Sequence, residues 1–182
     1  MNYANNKYCD IANGPGVRTS LFVSGCTHRC PGCFNAEAWD FEAGAPFTDE
    51  VAEALLQACE PAYIRGLSLL GGEPMEPENQ EALLTLLHAF RARLPGKTVW
   101  CYSGYTWEQL TGQDASRAAT PAARAMLEEI DVLVDGPFIQ GEADITLRFR
   151  GSRNQRILDV PASLAAGAPV LWRDDPIFVH GK

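Results

Sequence analysis

The chain lacks any apolar run near the roughly 18 residues that a membrane-crossing helix requires, so no membrane role is expected. Its first residues, MNYANNKYCD, lack the charged-then-apolar pattern of a secretory leader and read as mature cytoplasmic sequence. Positive charge is not in excess either. The net charge is −8, which argues against a dominant phosphate-binding surface and against nucleic acid as the partner. Internal repeats and low-complexity linkers are absent, and 182 residues suit a single domain. Apolar content is not scarce: 46% of the residues are hydrophobic, enough for a real core.

Cysteine is the residue in surplus, with six in the chain. Without a leader, closely spaced cysteines point to metal or redox chemistry rather than to disulfides. Cys26, Cys30 and Cys33 follow a Cys-x3-Cys-x2-Cys spacing that only a loop can wrap around one inorganic centre. A fourth close ligand is missing. Structural zinc takes four protein ligands, and an all-cysteine iron–sulfur site takes four thiolates. His28 is too near its neighbours in sequence to complete a tetrahedron easily, whereas Cys9, Cys59 and Cys101 are distant in sequence and remain open as donors. Two readings follow: a zinc-binding interaction module with a remote fourth ligand, or a four-iron cluster with one iron left open to a substrate.

Strand-like and helix-like segments alternate, the pattern of a parallel α/β sheet. Residues 19–24 form a β-rich run ending at Gly25-Cys26, and residues 25–46 read as a long functional loop. Thr48 can cap a helix with Asp49 and Glu50 in its first turn and Val51, Leu55, Ala58 and Cys59 on one face. Residues 67–70 form a second strand, stopped by Gly71-Gly72-Glu73-Pro74. A helix from Pro77 then carries Leu83, Leu84, Leu87, Phe90 and Leu94 at helical spacing. Residues 98–102 and 131–135 supply two more strands, ending at Ser103-Gly104 and Gly136-Pro137, with helical sequence at 106–111 and 121–129 between them. Residues 146–149 and 155–160 suggest two late strands flanking a basic GSRN turn, and residues 161–182 read as an irregular tail broken by Pro161, Gly167, Pro169 and Pro176. In parallel α/β folds the C-terminal strand ends meet on one rim, where ligands bind. Here that rim collects the cysteine loop, GGEP, SG and DGP.

A Cys-x3-Cys-x2-Cys loop after one strand and GGEP after the next resembles the radical S-adenosylmethionine superfamily. The resemblance implies a small, partial (incomplete) TIM-type β/α barrel. It also implies one 4Fe–4S cluster on Cys26, Cys30 and Cys33, and S-adenosylmethionine bound beside Gly32, Cys33, Phe34, Gly71, Gly72, Glu73 and Ser103. GGEP corresponds to the segment that meets the methionine amino group. The superfamily often places an aromatic residue directly before the last cysteine; this chain has Gly32 there, so Phe34 is expected as the adenine neighbour.

A more specific similarity spans residues 1–158. Asn13-Gly14-Pro15-Gly16-Val17-Arg18, Phe22-Val23-Ser24-Gly25 running into CTHRCPGCFN, Ser103-Gly104-Tyr105, Val134-Asp135-Gly136-Pro137-Phe138 and Arg150-Gly151-Ser152-Arg153-Asn154-Gln155 carry it. These segments resemble the family of activating proteins of anaerobic ribonucleoside-triphosphate reductase. Members are implied to cleave S-adenosylmethionine reductively and to use the 5′-deoxyadenosyl radical to create a glycyl radical on the large reductase subunit, with a flavodoxin-like reductant. Residues 1–158 would form the radical domain, and residues 159–182 lie outside the similarity with no role assigned. A rival with the same chemistry is a small-molecule enzyme of the 7-carboxy-7-deazaguanine synthase kind, which shares a short chain. The basic cluster of Arg148, Arg150, Arg153 and Arg156 reads either as a solvated turn or as a docking surface for an acidic partner.

Overall fold

The computed structural model describes residues 1–173. Twelve main elements follow one another: β1 (Asn2–Asp10), β2 (Val17–Val23), β3 (Ala45–Pro46), α1 (Asp49–Cys59), β4 (Ile64–Gly71), α2 (Pro77–Arg93), β5 (Thr98–Tyr102), α3 (Trp107–Leu110), α4 (Pro121–Glu129), β6 (Val132–Asp135), β7 (Arg156–Asp159) and α5 (Val160–Ala166). The strands form one mixed sheet in the order β3-β1-β2-β4-β5-β6-β7. Its centre, β2, β4, β5 and β6, is parallel. β1, β3 and β7 join antiparallel. The α/β class expected from the alternation is therefore observed.

The period-2 alternation of the central strands sorts their side chains onto two faces. Leu21, Val23, Leu67, Leu69, Val99, Cys101 and Leu133 point to one face and pack with Leu55, Leu83, Leu87, Phe90, Met126 and Leu127 from the helices. Trp100, Val132 and Val134 form a smaller cluster on the other face, covered by Tyr102, Phe149, Ile157 and Trp172. Arg18 is fully buried. Its guanidinium donates to Ser68 Oγ (2.8 Å), Thr98 Oγ1 (3.0 Å) and the carbonyls of Leu67 and Thr98 (both 2.8 Å). It also lies over the Trp100 ring at 5.8 Å. Burial pushes this guanidinium down to about 10.

Several local expectations change. β1 shows no hydrophobic alternation, and its sequence did not announce a strand. It is an edge-side strand whose pairing with β2 (Asn6↔Leu21, Lys7↔Ser20) is made by backbone groups. Residues 146–149 are not a strand; Asp144 Oδ1 accepts from the Thr146 N–H (3.0 Å) and hydroxyl (2.7 Å) and holds a turn there. Residues 160–166 form α5, so the stretch from 161 expected to be an irregular tail begins as helix, and Val160, expected to end the late strand, opens it. Asp159 caps it by accepting from the Ala162 N–H, Pro161 sits in its first turn, and Gly167 ends it at φ 66°. Pro176 lies outside the described residues. Thr48 stands at the cap of α1, yet its side chain makes no capping bond. No helix among the described residues is long and apolar enough to cross a membrane.

Candidate functional site

The C-terminal ends of the four parallel strands open on a cavity of about 570 Å3. Cys26, Cys30 and Cys33 line it, together with Gly71, Gly72, Glu73, Ser103, Gly104 and Gly136. The rim assembly expected from the sequence is therefore present.

Backbone hydrogen bonds fasten the rim segments to one another. Gly72 N–H donates to the Val23 carbonyl (2.7 Å), and Glu73 N–H donates to the Gly25 carbonyl (2.8 Å). Gly25 N–H donates to Ala38 (2.9 Å) and Cys26 N–H to Trp39 (3.1 Å). A Cβ added at Gly72 would stand 2.5 Å from the Gly25 carbonyl oxygen and 2.7 Å from that of Ala38. At Gly25, where φ is 92°, it would stand 2.2 Å from the Phe41 ring. Gly72 thus allows one strand-end segment to close onto the next.

Glu73 is 1% exposed, and its carboxylate is engaged inside the protein. It accepts from Met75 N–H (2.8 Å), Ser103 Oγ (2.9 Å) and Gly104 N–H (2.6 Å). Ser103 Oγ in turn accepts from Tyr105 N–H (3.0 Å). Glu73 and Ser103, both expected beside a cofactor, are bonded to each other and tie the end of β4 to the end of β5. His28 Nε2 lies 3.3 Å from Glu73 Oε2, an ion-pair distance without hydrogen-bond alignment. The His28 ring meets the Tyr105 ring edge-on at 4.4 Å. Burial alone would lower the imidazole pKa, but the Glu73 and Glu76 carboxylates together outweigh it and the net direction is upward.

A second buried carboxylate, Glu76, was not singled out by the sequence. It is fully buried and accepts from the Thr27 N–H (2.7 Å), the Thr27 hydroxyl, Tyr105 OH (3.3 Å) and Arg117 (2.7 Å). Thr27 sits between Cys26 and His28, so Glu76 grips the cysteine loop directly. Asn79 adds a further tie, its amide donating to the carbonyls of Ser24 (3.0 Å) and Glu73 (2.9 Å). The available signal was a run of polar residues in the first turns of α2, just after GGEP, where an amphipathic helix would place apolar ones.

Cys26 is buried, Cys30 and Cys33 are half-buried, and all six thiols are free. The Cys26 sulfur accepts from the backbone N–H groups of His28 and Arg29, while burial first and the Glu73 charge next push its thiol up to about 12. Burial also raises the Cys30 thiol. Among the described residues, no three metal-ligating side chains are gathered closely enough to hold an ion by themselves. The donor set nonetheless suits an iron–sulfur cluster: three thiols on one loop, all lining one cavity. Cys59 and Cys101 belong to the helix-side core, Cys9 is exposed on β1, and none of these three lines the cavity. Three buried polar atoms of cavity-lining residues, His28 Nε2, Tyr102 Oη and Trp39 Nε1, have no hydrogen-bond partner among the described residues.

Gly32, at φ 74°, lines the cavity, and a Cβ there would meet the Gln140 side chain at 3.1 Å. Phe34 stands at the mouth and is 97% exposed. Asp135 is fully buried and accepts from Trp107 N–H (2.7 Å) and Arg156 Nε (2.9 Å). Much of the basic cluster is paired internally: Arg156 with Asp135 and Glu108, Arg153 with Asp144. Arg150 donates to the Gln155 carbonyl (2.6 Å), and Arg148 lies over the Phe149 ring. A second cleft, of about 740 Å3, lies near the opposite strand ends beside Arg18, Lys97 and Asp131 and contains no cysteine.

The model of a family described as a 4Fe-4S single cluster domain matches residues 12–158. Among curated proteins, the chain is similar to the anaerobic ribonucleoside-triphosphate reductase-activating protein of Vibrio cholerae serotype O1, at 43% identity over 86% of this chain and 97% of the relative. The protein of the same name from Escherichia coli K12 is 40% identical, with 85% and 96% covered. That of Enterobacteria phage T4 is 37% identical, with 86% and 93% covered.

Proposed function

The chain belongs to the family of anaerobic ribonucleoside-triphosphate reductase-activating proteins, and from that premise we propose that it installs a glycyl radical on the large subunit of the anaerobic reductase. The observation that carries the reading is the single cavity faced by all three loop cysteines and fastened to the GGEP segment through Glu73 N–H and the Gly25 carbonyl. Cys26, Cys30 and Cys33 would hold one 4Fe–4S cluster, leaving one iron without a protein ligand for S-adenosylmethionine. When bound, that pair supplies the electron transfer and sulfonium cleavage that yield a hydrogen-abstracting 5′-deoxyadenosyl radical.

The protein's own residues prepare the place. Glu76 and Asn79 fix the backbone entering the cysteine loop. Glu73 and Ser103 hold the β4 and β5 rims together. Gly71 and Gly72 keep the rim low enough for the methionine end of the cofactor to approach. Phe34, exposed at the mouth, is the adenine neighbour. We read the four parallel strands with their helices as a partial β/α barrel whose open side the reductase subunit covers, excluding water from the radical. Residues 1–158 constitute this unit, and the electron comes from a low-potential, flavodoxin-like cytoplasmic donor.

The test is anaerobic incubation of the reconstituted protein with reductant, S-adenosylmethionine and purified large reductase subunit. A doublet glycyl-radical signal in electron paramagnetic resonance is expected. Cofactor cleavage without that doublet would refute the activase reading and favour a small-molecule substrate.

A further inference from the structure

Glu76 is the least expected group near the cysteine loop. It stands at the N-cap of α2, and a fully buried side chain costs little when apolar and much when charged, unless donors surround it. Here every contact is a donor: the Thr27 N–H, the Thr27 hydroxyl, Tyr105 OH and one Arg117 nitrogen. Three of these come from two residues, Thr27 in the cysteine loop and Tyr105 just after β5. Arg117 reaches in from the segment before α4, is 44% exposed, and also pairs with Glu78 at the surface. Glu73 supplies a second buried carboxylate on the same side of the loop, with His28 beside it.

Position alone does not need a carboxylate. Any acceptor, such as a glutamine oxygen, would satisfy the Thr27 N–H and hydroxyl. What the carboxylate adds is a negative charge buried one residue from Cys26, where low polarity leaves it weakly screened. A cluster held by the Cys26 sulfur gains a further negative charge on reduction, and nearby anionic charge makes this gain harder.

Building on the activase reading, we propose that the buried Glu76 carboxylate, partly offset by Arg117, sets the reduction potential of the cluster at Cys26, Cys30 and Cys33. Glu76 depresses the potential, and Arg117 limits the depression. A more negative potential makes the reduced cluster a stronger one-electron donor, as cleavage of a sulfonium demands. Glu76 is thus a tuning and positioning residue, not a catalytic one. The electron itself enters from an external low-potential donor, and one added electron is matched by one unit of negative charge on the cluster.

The full-length protein, reconstituted anaerobically with iron and sulfide, is titrated with dithionite while its spectrum is followed, as wild type, Glu76→Gln and Arg117→Gln. Glu76→Gln keeps the acceptor for Thr27 and removes the charge. It is expected to move the potential to less negative values by about tenfold in the one-electron equilibrium, about 59 mV. Arg117→Gln is expected to move it the other way. Opposite signs are the signature of charge, because a loop merely loosened by either change would shift both the same way. Shifts of equal sign, or none, overturn the proposal. If Glu76→Gln takes up no cluster, Arg117→Gln decides alone: a more negative potential supports the proposal, and any other result overturns it. A wild type that takes up no cluster removes the activase reading together with this one. A wild type that cleaves S-adenosylmethionine while the variants' potentials stay put removes only the tuning.

Discussion

The backbone N–H of Glu73 donates to the carbonyl of Gly25 at 2.8 Å, so the two motifs most conspicuous in the sequence are stitched together one residue before Cys26. GGEP and the cysteine loop are parts of one structure: whatever displaces one displaces the other.

Gly72→Ala should therefore act on the cysteine loop without touching a cysteine. The added methyl would meet two backbone carbonyl oxygens at 2.5 and 2.7 Å, which cannot step aside as a side-chain end can. A destabilisation of about 1–3 kcal/mol is expected from such overpacking, with reduced iron uptake. Urea unfolding and iron content measured on the same preparation check it; normal values for both would show that the rim is more pliant than its contacts imply.

Glu73→Gln replaces an acceptor oxygen by an amide that must face Ser103 Oγ, or the N–H groups of Met75 or Gly104. A buried donor set against a donor costs about 1–3 kcal/mol. The expected outcome is a lower melting temperature in the metal-free protein, before any cofactor is added. If only cofactor affinity falls and the melting temperature holds, Glu73 acts on the ligand and not on the rim.

Arg156→Ala strips the fully buried Asp135 of its cationic partner and frees Glu108 at the same time. Loss of about 3 kcal/mol is expected, since removing one member of a buried pair leaves the other charge uncompensated. The Arg156 hydrogen bond is the main cause that lowers the Glu108 pKa below its ordinary value of 4.5. A depressed carboxylate stabilises the fold above its unfolded value and loses that contribution as pH falls through the folded one. The stability gap between wild type and variant should accordingly narrow below about pH 4.5; denaturation midpoints at a series of pH values measure it.

Cys30→Ala and Cys59→Ala should separate cleanly. Cys30 lines the cavity, and its loss should abolish the brown colour of the reconstituted protein and cofactor cleavage. Cys59 is buried in the helix-side core, so its replacement should cost about 1 kcal/mol of stability and leave the iron content unchanged. A colourless Cys59→Ala protein would bring a fourth cysteine back into consideration.

The site was legible to the extent that its chemistry sits in short, local patterns. Thiols with three and two residues between them, and glycines at the ends of apolar runs, can be read directly, and Thr98–Tyr102 and Pro121–Glu129 fell where their patterns placed them. β1 escaped because its place depends on backbone pairing with β2, which needs no particular side chains. α5 escaped because three prolines and a glycine after residue 160 look like breakers, although Pro161 and Gly167 serve as its start and stop.

The sequence by itself determined which atoms are available: three thiols on one loop, and strand ends that must share a rim because the connections are parallel crossovers. Only the tertiary structure decided what the charged residues around them do. Glu73 and Ser103 bond to each other, Arg156 is committed to Asp135, and Glu76, unremarkable in the chain, is buried against Thr27. The reason is physical. Ligand spacing is a property of neighbouring residues, whereas the partner of a buried charge is set by which distant segments the fold brings within about 3 Å, the reach of a hydrogen bond.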